Sequence, residues 1–488
     1  MNDRPASGPG ARHLTAVPDP VSGPETAAGA LPQPAFEIAA GHAFAGPALD
    51  LGALMWEGRC LPDAQVLLPL SSLTRHGLVA GATGTGRTRT LQLLAEQLSA
   101  QGVPVLLADV RGGLSGIAEP GEAGTGVTGR ATEVGQRWTG AGRPTAFHRL
   151  GGAGTGRPVR APVTGLGPLL LARVLGLDAV GEEALARVFR YTDAQGLELV
   201  CLDDLRAVLT AAGTPAGPGR PGGVSPVAAG TILRAVSAFE ERAAADDLFG
   251  EPVCGAADFL RCTADGQGLV SVLRLDSVRD RPHLWTAFLM WLLARLCDAL
   301  PVIGDVGGPR LVLLVDDAEP LFTGASPAFL EAVTRTMRLV RSKGVGIFFV
   351  TRTAQDVPAD VLEHLGNRVQ HAPRAFSPED QEALRATVRG FPESAYDLGE
   401  VLAGLGTGEA VVTVLGERGA PTPPAAVRLR APGSYMGPLA PDALTQHAER
   451  SGPRPAPARP RGDGTGTGPG AKITRSLFGT ATTTGRRR

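Results

Sequence analysis

The chain has 488 residues, 43% of them hydrophobic, with 47 basic and 48 acidic side chains and a formal net charge of −1. That length suggests two or three domains with ample core, and the balanced charge excludes a molecule that gathers nucleic acid by its overall field. Five cysteines (Cys60, Cys201, Cys254, Cys262, Cys297) show no C-x-x-C pair or metal-ligand spacing, as in a reducing compartment.

Residues 1–35, rich in Pro, Gly and Ala, read as a disordered leader. They lack a basic start followed by an apolar run, so no secretory signal is visible. Residues 36–70 are expected to supply small strands, at 36–38 and 64–70. The stretch from His76 to Thr88 then reads as a buried strand, a glycine-rich turn and the start of an amphipathic helix. Gly81 and Gly86 stand at the spacing of the phosphate-binding loop G-x-x-x-x-G-K-[ST]. Phosphate needs glycines there because backbone amides must wrap the anion closely, and the helix that follows adds its positive end. The candidate phosphate-binding residues are Gly81, Ala82, Thr83, Gly84, Thr85, Gly86, Arg87 and Thr88. Thr88 occupies the metal-binding hydroxyl position, and Arg87 stands where the motif has lysine. Lysine occurs only at Lys343 and Lys472, so a general preference for arginine is one explanation of Arg87.

A second apolar strand at 103–109 ends in Asp109 and a turn at the carboxyl edge of the sheet, where open α/β folds place ligands. Residues 165–300 read as mainly helical, with apolar periodicity at 169–175, 184–191, 203–209, 232–242 and 284–296, a Pro/Gly linker at 213–223 and one strand at 268–275. The most apolar segment, 284–294, is closed by Arg295 and is too short to span a bilayer. A cytoplasmic protein without a membrane segment is therefore expected.

Residues 310–317 run through aliphatic side chains into Asp316 and Asp317, the Walker B form. Asp316 would hold Mg²⁺ through water, and Asp317 would polarise the attacking water. A glycine turn or a buried strand is common singly; both together, in this order, point to a nucleotide-phosphate pocket. Beyond them lie a helix at 329–340, a strand at 345–351, a helix at 359–365 and a last strand at 409–415 with a hairpin turn at 416–419. Residues 446–488 read as a disordered basic tail.

The loop, Asp109, the helical insertion, Asp316-Asp317, the run 341–346 (RSKGVG) and the run 365–371 (LGNRVQH) together resemble the bacterial HerA-like helicase family, RecA-fold ATPases related to the HerA and FtsK DNA translocases. The resemblance spans about residues 36–440. It implies an α/β fold, a RecA-like P-loop NTPase core with a mainly parallel sheet, split into 36–164 and 301–445 by a helical insertion at 165–300, with a small N-terminal β region. It also implies ATP and Mg²⁺ as cofactors and a homohexameric ring moving on DNA. DNA enters by resemblance alone, because no helix-turn-helix, zinc ligand set or aromatic-basic stripe is visible. Arg341 resembles the trans-acting arginine finger of these relatives, with Arg368 as second choice; for either, a surface salt bridge is the alternative.

Departures from the family pattern fall at the chemistry. Arg87 replaces Lys, and Asp317 replaces Glu in a D-E-A-H run that here reads Asp316-Asp317-Ala318-Glu319. Arg111 and Gly113 replace a lysine-acid pair, and Arg352 replaces the Gln after Thr351. A guanidinium is broader than an ammonium, and Asp317 is one methylene short of the productive water position. Nucleotide binding with weak or absent hydrolysis is the expectation. An active DNA-dependent ATPase, a nucleotide-binding scaffold or partner of an active paralogue, and a fold that binds nothing are the three classes to separate.

Overall fold

The computed structural model describes residues 31–152, 154–213, 224–242, 245–304, 307–373, 377–416 and 419–451. Most of the expected leader and tail, nearly all of the 213–223 linker and the tip of the 416–419 turn lie outside them.

Among the described residues the strands, in chain order, are β1 (Ala48–Trp56), β2 (Arg59–Pro69), β3 (Gly77–Ala80), β4 (Val105–Asp109), β5 (Thr145–Arg149), β6 (Arg157–Pro158), β7 (Val270–Arg274), β8 (Leu311–Val315), β9 (Val345–Thr351), β10 (Asn367–His371), β11 (Glu409–Thr413) and β12 (Ala425–Leu429). They form one sheet in the order β2-β1-β12-β11-β10-β3-β9-β8-β4-β7-β5-β6. From β10 to β6 every neighbouring pair is parallel, and from β10 back to β2 every pair is antiparallel. The mainly parallel α/β sheet is thus as expected.

Every residue of β3, β4, β8 and β9 is buried. Strands covered on both faces need no polar alternation, which is why they appear as unbroken apolar runs. Successive residues serve opposite faces. Leu78, Leu313 and Val315 enter a core with the helices Val163–Leu175, Pro282–Ala299 and Pro327–Ser342; Val79, Val312 and Leu314 enter the other, with the helix Arg87–Ala100. Between β6 and β7 the chain makes a helical excursion through Val163–Leu175, Ala179–Gln195, Leu202–Gly213 and Pro226–Glu240.

Local structure departs from expectation at the flanks. Residues 36–38 are not a strand but lie in the helix Gln33–Gly41, where Pro34 sits in the first turn and Ala35 and Ile38, three apart, are buried. β1, β5, β6 and β12, and the helices Pro378–Arg389 and Leu398–Gly404, had no counterpart in the apolar pattern. β1 is interrupted by Asp50 and by Gly52, whose φ of +147° accompanies a register shift against β2; a Cβ there would meet the Arg428 carbonyl oxygen. The helix Pro441–Ser451 extends into the stretch read as the start of the basic tail.

For the site, the decisive feature is the adjacency of β3, β9, β8 and β4. Their parallel register sets the turn after β3, Arg352 after β9, Asp316 after β8 and Asp109 of β4 along one carboxyl edge.

Candidate functional site

The turn after β3 is held open by glycines at positive φ: Gly81 at +155°, Gly84 at +88° and Gly86 at +118°. A Cβ on Gly81 would stand 2.5 Å from the Cβ of His371, so no side chain fits there. The helix begins directly at Arg87, and the amides of Arg87 and Thr88 have no partner inside it, as in the first turn of any helix. The remaining loop is tied to its surroundings. Gly81 N donates to the Arg352 carbonyl (3.2 Å), Ala82 N to the Ala372 carbonyl (2.8 Å) and Gly408 N to the Thr85 carbonyl (2.8 Å).

His371 braces the loop from behind. Its Nδ1 lies 2.9 Å from the Glu409 carbonyl, which can only accept, so Nδ1 carries the proton and Nε2 accepts from Thr90 Oγ1 at 2.8 Å. Burial brings its pKa down to about 4, so the ring is neutral. Arg130 secures the 407–408 turn, donating to the Gly408 carbonyl at 3.0 Å and the Thr407 carbonyl at 2.8 Å.

The acidic side is more deeply enclosed. The carboxylate of Asp109 is fully buried and accepts the amides of Gly113 (3.1 Å) and Leu114 (3.0 Å) from its own turn. Asp316 is 5% exposed; burial first, then the neighbouring charges of Asp109 and Asp317, push its pKa up to about 6. Asp317 has a φ of +55°, in the left-handed region that non-glycine residues rarely take. Its Oδ2 is held by Arg111, through Nε at 3.2 Å and Nη2 at 3.0 Å. Arg352 likewise donates through Nε to Glu319 at 3.0 Å.

Arg87 links the two halves. It is only 8% exposed; burial lowers its pKa, opposed by the negative charges of Asp316 and Asp317, and its Nη1 has no hydrogen-bond partner among the described residues. The loop at 81–88 and the carboxylates at 316–317 therefore meet in one place. Thr88, half-buried, follows Arg87 on the helix. Beside the loop opens a cavity of about 230 Å³, lined by Ala82, Thr83, Arg352, Gln355, Gln370 and Asp380 among others.

Two candidates stand away from this cluster. Arg341 is exposed in the last turn of the helix Pro327–Ser342, near His76 at the amino edge of the sheet. Arg368, on β10, donates to the Gly390 carbonyl at 2.7 Å. Neither reaches the phosphate loop within the chain. His371, Arg130 and the Arg111–Asp317 pair were not assigned roles from sequence. His371 falls in the run 365–371 noted from the sequence, but its bracing role depends on contacts with Thr90 and Glu409 that the sequence does not show.

The fold recurs in solved structures. The bacterial conjugative coupling protein TrwBdeltaN70, in an unbound form, matches with a TM-score of 0.51 at 14% identity, covering 82% of this chain and 93% of that one. VirB4 of Thermoanaerobacter pseudethanolicus matches with a TM-score of 0.51 at 15% identity, covering 80% and 97%. The plasmid coupling protein TrwB in complex with the non-hydrolysable ATP analogue ADPNP matches with a TM-score of 0.50 at 14% identity, covering 81% and 97%. This is a RecA-like α/β fold. No curated protein matches the sequence. The family model for the helicase HerA-like C-terminal region matches residues 57–456, most of the chain, and the protein belongs to that family.

Proposed function

We propose that the chain binds ATP at residues 81–88 as a HerA-like P-loop ATPase of the helicase and DNA-translocase type, with impaired hydrolysis. The observation that carries this reading is the convergence of Arg87, from the loop, on Asp316 and Asp317, from the distant strand β8. The ADPNP complex of TrwB, which shares the fold, supports nucleotide as the ligand class. Phosphates would rest on the free amides of Arg87 and Thr88 and on the helix N-terminus. Thr88 and Asp316 suit Mg²⁺, because an ion at such a site takes few protein ligands and Asp316 makes no direct ion pair among the described residues. When bound, the ion neutralises phosphate charge.

Impairment follows from the side chains around Asp317. It is shorter than glutamate, it is anchored by Arg111, and its backbone is already in a strained region. An acid held in an ion pair is poorly placed to polarise water. A nucleotide-binding scaffold, or a partner of an active paralogue, is the second reading, and the Arg111–Asp317 pair favours it. Arg341 is exposed, and its role toward a neighbouring subunit rests on the resemblance. A homohexamer and DNA as the track rest on the family alone; a cytoplasmic setting is an expectation drawn from the sequence.

The test is ATP turnover with and without DNA, in the parent and in the Arg87→Lys/Asp317→Glu double variant. The parent should stay near background, and the double variant should rise by roughly tenfold to a hundredfold. Parent turnover at the rate of lysine-bearing relatives would refute impairment.

A further inference from the structure

Beyond β12 the chain crosses the helix Arg87–Ala100 at residues 433–437 and is tied down on both sides. Glu96 accepts from Gly433 N at 2.8 Å and from Ser434 N at 2.9 Å. Gln92 Nε2 donates to the Tyr435 carbonyl at 3.0 Å, and Arg89 Nη2 to the Met436 carbonyl at 2.8 Å. From the other flank Tyr435 N donates to the Glu119 carbonyl at 2.8 Å and Gly116 N to the Gly437 carbonyl at 3.0 Å. Yet the side chains of Tyr435 and Met436 stay in water, 44% and 38% exposed. Among the described residues they are the only consecutive pair of large exposed hydrophobics. A backbone held this firmly gains nothing in folding by turning a ring and a thioether outward, and such a patch suits a ligand.

Its place says which ligand. Arg89 is the third residue of the helix that opens at the phosphate loop. Positions two apart on a helix are turned by about 200°, so Arg87 and Arg89 serve opposite flanks of its N-terminus. Arg87 lies with Asp316 and Asp317; it is more than nine-tenths buried, and its Nη1 has no hydrogen-bond partner among the described residues. Arg89 lies with Tyr435 and Met436. Chemistry on a triphosphate belongs to the flank with the acids, so the terminal phosphate lies toward Arg87 and the nucleoside end leaves over Arg89. The 230 Å³ cavity is on the wrong side for that end, because its wall includes Arg352, which is bound to Glu319, two residues beyond Asp317.

We propose that Tyr435 and Met436 form the platform on which the nucleobase of the bound triphosphate stacks, with the Arg89 guanidinium beside it. An aromatic ring and a polarisable sulfur both pack against the flat face of a base, and a guanidinium is attracted to that face. This rests on the nucleotide reading above and adds the part of the ligand that the loop does not touch.

The experiment is calorimetric titration of the full chain, in excess Mg²⁺, with ATP and with inorganic tripolyphosphate, which has the phosphates and no base. The Tyr435→Ala/Met436→Ala double variant should bind ATP about tenfold or more weaker than the parent, and tripolyphosphate within about threefold of it. Tyr435→Phe, which keeps the ring, should bind ATP within about threefold of the parent. The hydrogen bonds of residues 433–437 to the helix run largely through backbone atoms, so these variants keep them, and thermal unfolding checks that each is folded. An unchanged preference for ATP over tripolyphosphate in the double variant, whether both affinities hold or both fall, overturns the platform and leaves the nucleotide reading standing. A loss in Tyr435→Phe as deep as in the double variant assigns the effect to the hydroxyl and overturns stacking. A parent that binds neither compound overturns the nucleotide reading and this proposal with it.

Discussion

Acidification from pH 7.5 to 5 should destabilise this fold through its enclosed histidines. His76, His148 and His371 are 2%, 1% and 0% exposed, and burial holds each pKa at about 4 against 6.5. Between those values the unfolded chain takes up protons that the folded chain refuses. Their contribution is therefore complete above pH 6.5 and is lost as the pH falls toward 4. For one such ring the loss between pH 7.5 and 5 is about 2 kcal/mol, and for three about 6 kcal/mol, a large part of a typical domain's stability. Asp316, raised from 3.8 to about 6, works in the opposite direction and returns about 1 kcal/mol over the same interval. Asp109 and Glu96, also raised by burial, push the same way as Asp316.

His148 isolates the effect. Its Nε2 has no partner among the described residues, its ring packs on Phe259 at 4.8 Å between centroids, and its Nδ1 lies 3.6 Å from the Cys254 thiol. An apolar residue of similar size gives up little there. His148→Leu should lose about 2 kcal/mol less than the parent between pH 7.5 and 5, read from urea denaturation at both pH values. Equal losses in parent and variant would refute the reasoning, because the folded state would then hold His148 no more weakly basic than the open chain does.

Two further outcomes follow from packing. Gly81→Ala forces a Cβ against His371 at a φ of +155°, so the loop must open, and ATP affinity should fall by about tenfold or more; unchanged affinity would mean the loop does not wrap phosphate closely. Trp285 is fully buried in the helix Pro282–Ala299, and Trp285→Ala should cost about 3–5 kcal/mol in chemical denaturation; a loss below about 1 kcal/mol would contradict its place in the core.

Much of the central sheet could be read from composition along the chain. β3, β4, β8 and β9 are apolar throughout because both faces are covered, and covered strands announce themselves without reference to their neighbours. The glycine spacing at 81–86 was legible for a similar reason, since positive φ is a local demand that a local residue must meet. The flanking strands were hidden: β1 is broken by Asp50 and Gly52, and β12 is a short run interrupted by Arg428. The electrostatics of the site were hidden more deeply. Arg111 and Asp317 are 206 positions apart, and nothing near either one foretells the other. Local conformational demands and the burial of whole strands are written residue by residue along the chain. Pairings such as Arg111 with Asp317, or His371 with Thr90, exist only once the strand order has set particular loops side by side, because charge and hydrogen bonding act over a few ångströms of space and not along the sequence.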